Sequence, residues 1–197
     1  MHLFFPSLYD KLEDDKEEQS MVNFFELIEK RESCRDYDTR PVEKELLIRM
    51  VEAARLAPSA CNSQPWRFTV VTGEKAGEVA ACTQEMGMNK FTSDAPAFIV
   101  ISEERARLSA SIAGKVKDQQ YAPIDIGLAT AHLCLAATEL GLSTCILGWF
   151  SEEKLKKLLG KTAGNRIRLV ISVGYAGTDS IRPKKRKASE EILCFFE

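Results

Sequence analysis

The sequence lacks any close cysteine pair: its six cysteines, at positions 34, 61, 82, 134, 145 and 194, are scattered without a CxxC motif. That spacing is poor for a zinc site and unlike the disulfide framework of a secreted domain, so the thiols are read as free in a reducing cytoplasm. No apolar run reaches the roughly 18 residues that span a bilayer. The N-terminal patch Leu3-Phe4-Phe5 is cut short by Pro6 and an acidic stretch, so neither a membrane span nor a signal peptide is expected. Charge of one sign is also missing. With 28% charged residues and a formal net charge of −2, the balance favours no polyanionic partner, and no nucleic acid is expected. A GxGxxG fingerprint is absent, which argues against a Rossmann domain holding a dinucleotide.

What is present is 197 residues with 45% hydrophobic composition, enough to bury one sizeable core. Residues 1–20 are rich in Asp, Glu and Lys after position 9 and read as an N-terminal extension, with residues 21–197 forming one domain. Val22, Phe25 and Ile28 follow helical spacing that should stop near Arg31; Leu46, Leu47, Met50, Val51 and Ala54 do the same until Pro58 forces a turn. Trp66–Val71 and Ala97–Ile101 are rich in β-formers and read as strands. Residues Ile124–Leu140 form a long apolar helix closed by Gly141, followed by a strand at Ser143–Leu147. Ser151 is expected to cap a helix with Glu152 and Glu153 in its first turn and Gly160 at its end. Arg168–Val173 reads as a strand, and the apolar tail Ile192–Phe196 as a last one. This order predicts an α+β or three-layer arrangement around a mixed sheet.

Three segments carry chemistry. In Arg31-Glu32-Ser33-Cys34-Arg35, two guanidiniums flank a hydroxyl and could grip a phosphate and a polyol together, although alone the triplet reads as a solvated basic turn. In Pro58-Ser59-Ala60-Cys61-Asn62-Ser63-Gln64-Pro65-Trp66, small residues would let a flat ligand approach the backbone while Ser59, Asn62 and Gln64 supply donors and acceptors. Taken alone, this too is only a helix stop with an Asn-containing turn. Arg182-Pro183-Lys184-Lys185-Arg186-Lys187 by itself suits a solvated loop or a nucleic-acid patch. Elsewhere, His132 reads as a core or interface histidine and Cys61 as a packing residue; Trp149 fits stacking near a substrate and simple burial equally.

Together these segments resemble the nitroreductase family. Arg31-Glu32-Ser33-Cys34-Arg35-Asp36-Tyr37 followed by Pro58–Trp66 is similar to the family's opening signature. Asp125-Ile126-Gly127-Leu128-Ala129 and Leu140–Phe150 resemble its central helix and following strand, and Pro183-Lys184-Lys185-Arg186 its late phosphate-binding loop. The resemblance implies a three-layer α/β/α fold with a mixed, mainly antiparallel sheet, and a homodimer with FMN at the subunit interface. It further implies that Arg31, Lys184 and Arg186 hold the phosphate, Ser33 the ribityl chain, and that Arg35 lies near N1 and O2 of the ring. Pro58, Ser59, Ala60, Asn62 and Gln64 would come from the other subunit. Ile146, Leu147 and Gly148 would run along the ring face past N5, and Asn89 would meet the pyrimidine end. The implied reaction is ping-pong: hydride from NADH or NADPH to FMN, then electrons to a nitroaromatic, quinone or similar small acceptor. It needs no dedicated acid or base from the protein, and neither a catalytic side chain nor a metal is assigned. The alternatives are another redox chemistry on the same fold (dehydrogenation, dehalogenation or flavin fragmentation), a non-catalytic flavin-binding module, and a basic-loop nucleic-acid binder.

Overall fold

The computed structural model describes residues 23–104, 118–160, 166–178 and 181–197; the expected extension at residues 1–20 lies outside them. Asn23 opens α1 (Phe24–Lys30) by accepting the Phe25 amide at 3.0 Å. The chain then runs through β1 (Tyr37–Asp38), α2 (Lys44–Arg55), β2 (Trp66–Thr72), α3 (Glu74–Thr83), β3 (Ala97–Glu103), α4 (Tyr121–Glu139), β4 (Ser143–Leu147), α5 (Glu152–Leu159) and β5 (Arg166–Ala176). Among the described residues, no helix is long and apolar enough to cross a membrane.

β5 organises the sheet. It pairs antiparallel with β3 over residues 166–173 and with β4 over 170–174, so those two neighbours must occupy opposite edges. β2 extends the sheet beyond β3, and β1 joins β5 through Tyr37↔Ala176 and Asp38↔Tyr175. These pairings are all antiparallel, and the parallel component is a bridge between Ser33 and Thr144. The sheet is therefore mixed and mainly antiparallel, as the resemblance implied.

Helices cover both faces. β3 alternates strictly: Ala97, Ile99 and Ile101 enter a core with Leu47, Met50 and Ala54 of α2 and Ile126, Leu133 and Ala137 of α4. Phe98 and Val100 enter a second core with Val79 of α3 and Leu155 of α5. A strand buried on both faces must be apolar at consecutive positions, which is why Ala97–Ile101 reads as an unbroken run. β5 would break this parity, because Ile171 and Val173 face the first core while Ile167 faces the second. A β-bulge resolves it. Ile101 pairs with Leu169 and Ser102 with Ile167, leaving Arg168 as the extra residue, free to bind Glu103 at 2.5 Å.

The end of α4 follows the sequence closely. Gly141, at φ +73°, donates to Thr138 at 3.1 Å and Leu142 donates to Ala137 at 2.8 Å, the Schellman pattern that positive φ permits. Two expectations need correction. Ser151 does occupy the position before α5, but its side chain makes no capping bond; its backbone N–H instead ties the turn to Cys82 at 2.8 Å. The tail Ile192–Phe196 forms no strand: a 3-10 turn at Ser189–Glu191 precedes it, and Ile192 and Phe195 are 72% and 79% exposed. β1, only two residues long, left no periodic signal in the sequence.

Gly174 has a tight contact. A Cβ there would lie 2.8 Å from Pro96 Cδ and 2.9 Å from Tyr37 Cδ1. Gly174→Ala is expected to cost about 1–3 kcal/mol through overpacking, read as a lowered urea midpoint with an unchanged slope; wild-type stability would show that this approach is not rigid.

Candidate functional site

The first part of the site is built where α1 ends. Ser33 bridges to Thr144, and the Cys34 amide donates to the Thr144 carbonyl at 2.9 Å. Cys34 and Tyr37 are buried, the Tyr37 hydroxyl lying 2.9 Å from Ser172 Oγ, whereas Arg35 and Asp36 are exposed. The buried residues fix the segment and leave Arg35 facing outward.

The basic segment from the far end of the chain folds against this one. Arg182 bonds the Glu32 carboxylate through Nε at 3.2 Å and through its backbone amide at 3.3 Å, and its Nη2 donates to the Ser33 carbonyl. Lys184 Nζ donates to the Glu29 carbonyl. Arg186 is exposed, with Nη1 on the Lys185 carbonyl at 2.8 Å. Arg31, Ser33, Arg35 and Lys184 are thus gathered by contacts spanning about 150 residues of sequence. A cavity of about 170 Å³ beside them is lined by Glu32, Cys34, Arg35, Asp36, Thr178 and Arg182 among others. Glu32 and Arg182 were not singled out from sequence; a carboxylate between two arginines was the available signal.

The second part is the loop after α2. Its backbone is unusual, with positive φ at Cys61 (52°), Asn62 (50°) and Gln64 (48°), none of them glycine. Ser59 Oγ accepts the Gln64 amide at 2.9 Å, and Gln64 Nε2 donates to Asn62 Oδ1 at 2.9 Å. The Ala60 amide donates to both carboxylate oxygens of Asp125 on α4, at 3.1 and 3.2 Å. Pro58 and Asn62 are exposed, and Ser59 and Ala60 half-buried.

The third part is the end of β4. Cys145 and Leu147 point into the core shared with α3 and α5, so Ile146 faces the other side, where it is 44% exposed. A Cβ added to Gly148 would meet nothing within 4 Å. The strand therefore ends in an uncovered apolar shelf. Asn89, at φ 49°, donates from Nδ2 to the carbonyls of Thr83 at 3.1 Å and Trp149 at 3.2 Å, and the Trp149 indole N–H reaches the Glu85 carbonyl at 3.2 Å. Asn89 thus braces the turn after β4, and Trp149 is half exposed rather than buried. His132 remains exposed, its Nδ1 3.3 Å from the Ala53 carbonyl of α2.

The donor set suits a flat, phosphate-bearing group such as a flavin mononucleotide: cations and a hydroxyl at one end, an apolar shelf with open space at the other. Burial raises the thiol pKa values of Cys34, Cys82, Cys134 and Cys145 above the ordinary 9.0, with the charge of Arg35 opposing the shift at Cys145 and that of Arg31 opposing it at Cys134.

Comparison with known proteins agrees with this geometry. Residues 28–86 and 74–175 match the profile described as the Nitroreductase family. Iodotyrosine deiodinase 1 of Mus musculus is 27% identical over 196 residues, covering 86% of this chain and 68% of that protein. YodC of Bacillus subtilis, provisionally named an NAD(P)H nitroreductase, is 26% identical over 185 residues, covering 79% and 91%. A solved structure of an FMN-dependent nitroreductase from Clostridium difficile superposes with a TM-score of 0.68 at 26% identity, covering 86% of this chain and 96% of that one.

Thiol titration of the native protein at about pH 8 is expected to leave Cys34, Cys82, Cys134 and Cys145 unlabelled until denaturant is added. Because their folded pKa values are raised, their contribution to stability is fully present below the unfolded value near 9.0 and lost as pH rises through the folded values. Stability should accordingly hold up to about pH 9 and fall above it; rapid labelling of any of the four would contradict their packing.

Proposed function

The chain belongs to the nitroreductase family, and from that premise we infer that it is an FMN-dependent oxidoreductase using NADH or NADPH to reduce a nitroaromatic, quinone or similar small acceptor. The observation that supports this most is the docking of Arg182 and Lys184 onto Glu29–Ser33, which brings cations from the far end of the chain beside the segment that carries Arg31 and Ser33. Arg31, Lys184 and Arg186 would hold the phosphate by charge-assisted bonds and Ser33 the ribityl chain. Bound FMN would supply the two-electron chemistry, accepting hydride from the nicotinamide and returning electrons to the acceptor.

The protein's own part is to bind, orient and tune. Arg35 would hold a fixed cation near N1 and O2, where negative charge collects on reduction, and so raise the reduction potential. Ile146 would present the apolar shelf, whereas the Leu147 side chain is buried in the core, so that only its backbone could run past the ring; the Gly148 region would offer a backbone donor toward N5. Asn89, its amide nitrogen already engaged by two carbonyls, would offer an acceptor to the pyrimidine end. Pro58, Ser59, Ala60, Asn62 and Gln64 would reach the cofactor held by a second copy of the chain.

A homodimer is supported by apolar surface exposed among the described residues. α1 packs on α4 yet has no buried residue, and Phe24 and Phe25 are 58% and 70% exposed. On α4, Ile124 and Leu128 lie four residues apart on one exposed face. Apolar residues clustered in this way suit a subunit interface. The buried free thiols fit a reducing compartment, the cytoplasm.

Likeness to iodotyrosine deiodinase 1 favours reductive dehalogenation as the second reading. There, two electrons and a proton would replace an aryl carbon–iodine bond by carbon–hydrogen and release iodide.

Purified protein is expected to be yellow and to bleach anaerobically with NADH or NADPH, then to recover colour with a nitroaromatic or quinone. Colourless protein that binds no added FMN would overturn the reading; iodide release from iodotyrosine without nitroaromatic turnover would favour the second. Arg31→Ala combined with Arg186→Ala should weaken FMN binding by roughly 100-fold or more, from about 1.5–3 kcal/mol per charge-assisted contact. Leu128→Glu should convert a dimer to monomers in light scattering, and an unchanged mass would place the interface elsewhere.

A further inference from the structure

α4 is apolar through most of its length, and Asp125 interrupts it with a carboxylate that is only 4% exposed. A buried carboxylate requires strong hydrogen-bond donors. The donor found here is the Ala60 amide, which approaches both oxygens at 3.1 and 3.2 Å from 65 residues away in sequence. Ala60 stands at the head of a loop held against its backbone preferences, since Cys61, Asn62 and Gln64 all take positive φ without being glycine. Other hydrogen bonds of this loop close on itself: Asn62 N to the Ser59 carbonyl at 2.9 Å, Ser63 N to the Ala60 carbonyl at 3.0 Å, and Gln64 N to Ser59 Oγ at 2.9 Å. Such internal bonds define the loop's shape but not its place on the protein. The bond to Asp125 crosses to another element, and the exposed apolar residues Ile124 and Leu128 flank Asp125 on the same helix.

We propose that Asp125 is a positioning residue: by gripping the Ala60 amide it fastens the strained loop 58–64 to α4, and so fixes the polar groups of that loop for the flavin. The proposal rests on the FMN reading above. Asp125 touches no reacting atom; it acts through the loop. Because α4 also carries the bare apolar stripe assigned to the dimer interface, the same contact would couple formation of that interface to presentation of the loop to the neighbouring copy's cofactor.

The test compares full-length wild type with Asp125→Ala and Asp125→Asn, using two readouts. The first is hydrogen exchange of the Ala60 amide, followed by mass spectrometry of peptides covering residues 57–65, which needs no flavin. The second is titration of the flavin-stripped protein with FMN at a temperature well below each variant's melting point. Asp125→Ala should raise Ala60 exchange and weaken FMN affinity, each by roughly 10- to 100-fold, as loss of a hydrogen bond to a charged acceptor implies. Asp125→Asn, whose Oδ1 can still accept from the amide, should recover part of both. Should Asp125→Ala fail to fold, Asp125→Asn alone should still show smaller shifts of the same sign in both readouts. Unchanged exchange would overturn the fastening, and raised exchange with unchanged FMN affinity would overturn the positioning role. Wild type that binds no FMN would overturn that role together with the flavin reading, whereas raised Ala60 exchange in Asp125→Ala relative to wild type would still uphold the fastening itself.

Discussion

The two-sided burial of β3 and β5 is the constraint on which the other elements depend. A strand covered on both faces has no solvent side on which to place polar residues, so α2 and α4 must close one face and α3 and α5 the other. The Arg168 bulge is the adjustment that makes this possible along the full length of β5, because it resets side-chain parity between Leu169 and Ile167. With both faces filled and β5 paired on both edges, β4 is fixed where its last residues emerge from cover. Ile146 and Gly148 are open for that reason, and the candidate site begins there.

The site uses rigid elements for its floor and irregular chain for its walls. The floor is β4, and the walls are the segment after α1 and the late basic segment, while the loop after α2 would face the site of a second copy. Each of these three segments is tied down by one kind of contact: a backbone bridge at Ser33 and Cys34, side-chain cations on carbonyls at Glu29 and Ser33, and a carboxylate at Asp125, in that order. Irregular chain can bring backbone amides and carbonyls close to a ligand, which paired strands cannot, because their polar groups already bond each other. The positive φ angles at Cys61, Asn62, Gln64 and Asn89 belong to the same economy of backbone exposure: such conformations persist where neighbouring contacts over-determine them.

Much of the fold was legible in the sequence because it rests on local signals. Proline at 58, glycine at 141 and 160, and the unbroken apolar run at 97–101 each state a boundary or a burial without reference to distant residues. The family was legible for a related reason: four short segments in one order resemble one family. β1 was not legible, since two residues paired to β5 have no periodicity. The tail was misread because an apolar stretch predicts burial but not the partner that provides it.

By itself the sequence determined the layer architecture, through the periodicity of its apolar residues, and the family, through the resemblance of four ordered segments. Only the tertiary structure decided the roles that depend on distance across it. Glu32 and Arg182 became a clasp, Asn89 became a brace for the turn at Trp149, and Asp125 became the anchor of the loop at Ala60. Each is a contact between residues 60 or more positions apart. Local sequence carries no information on such pairs, whose strength comes from burial and alignment that only the packed layers create.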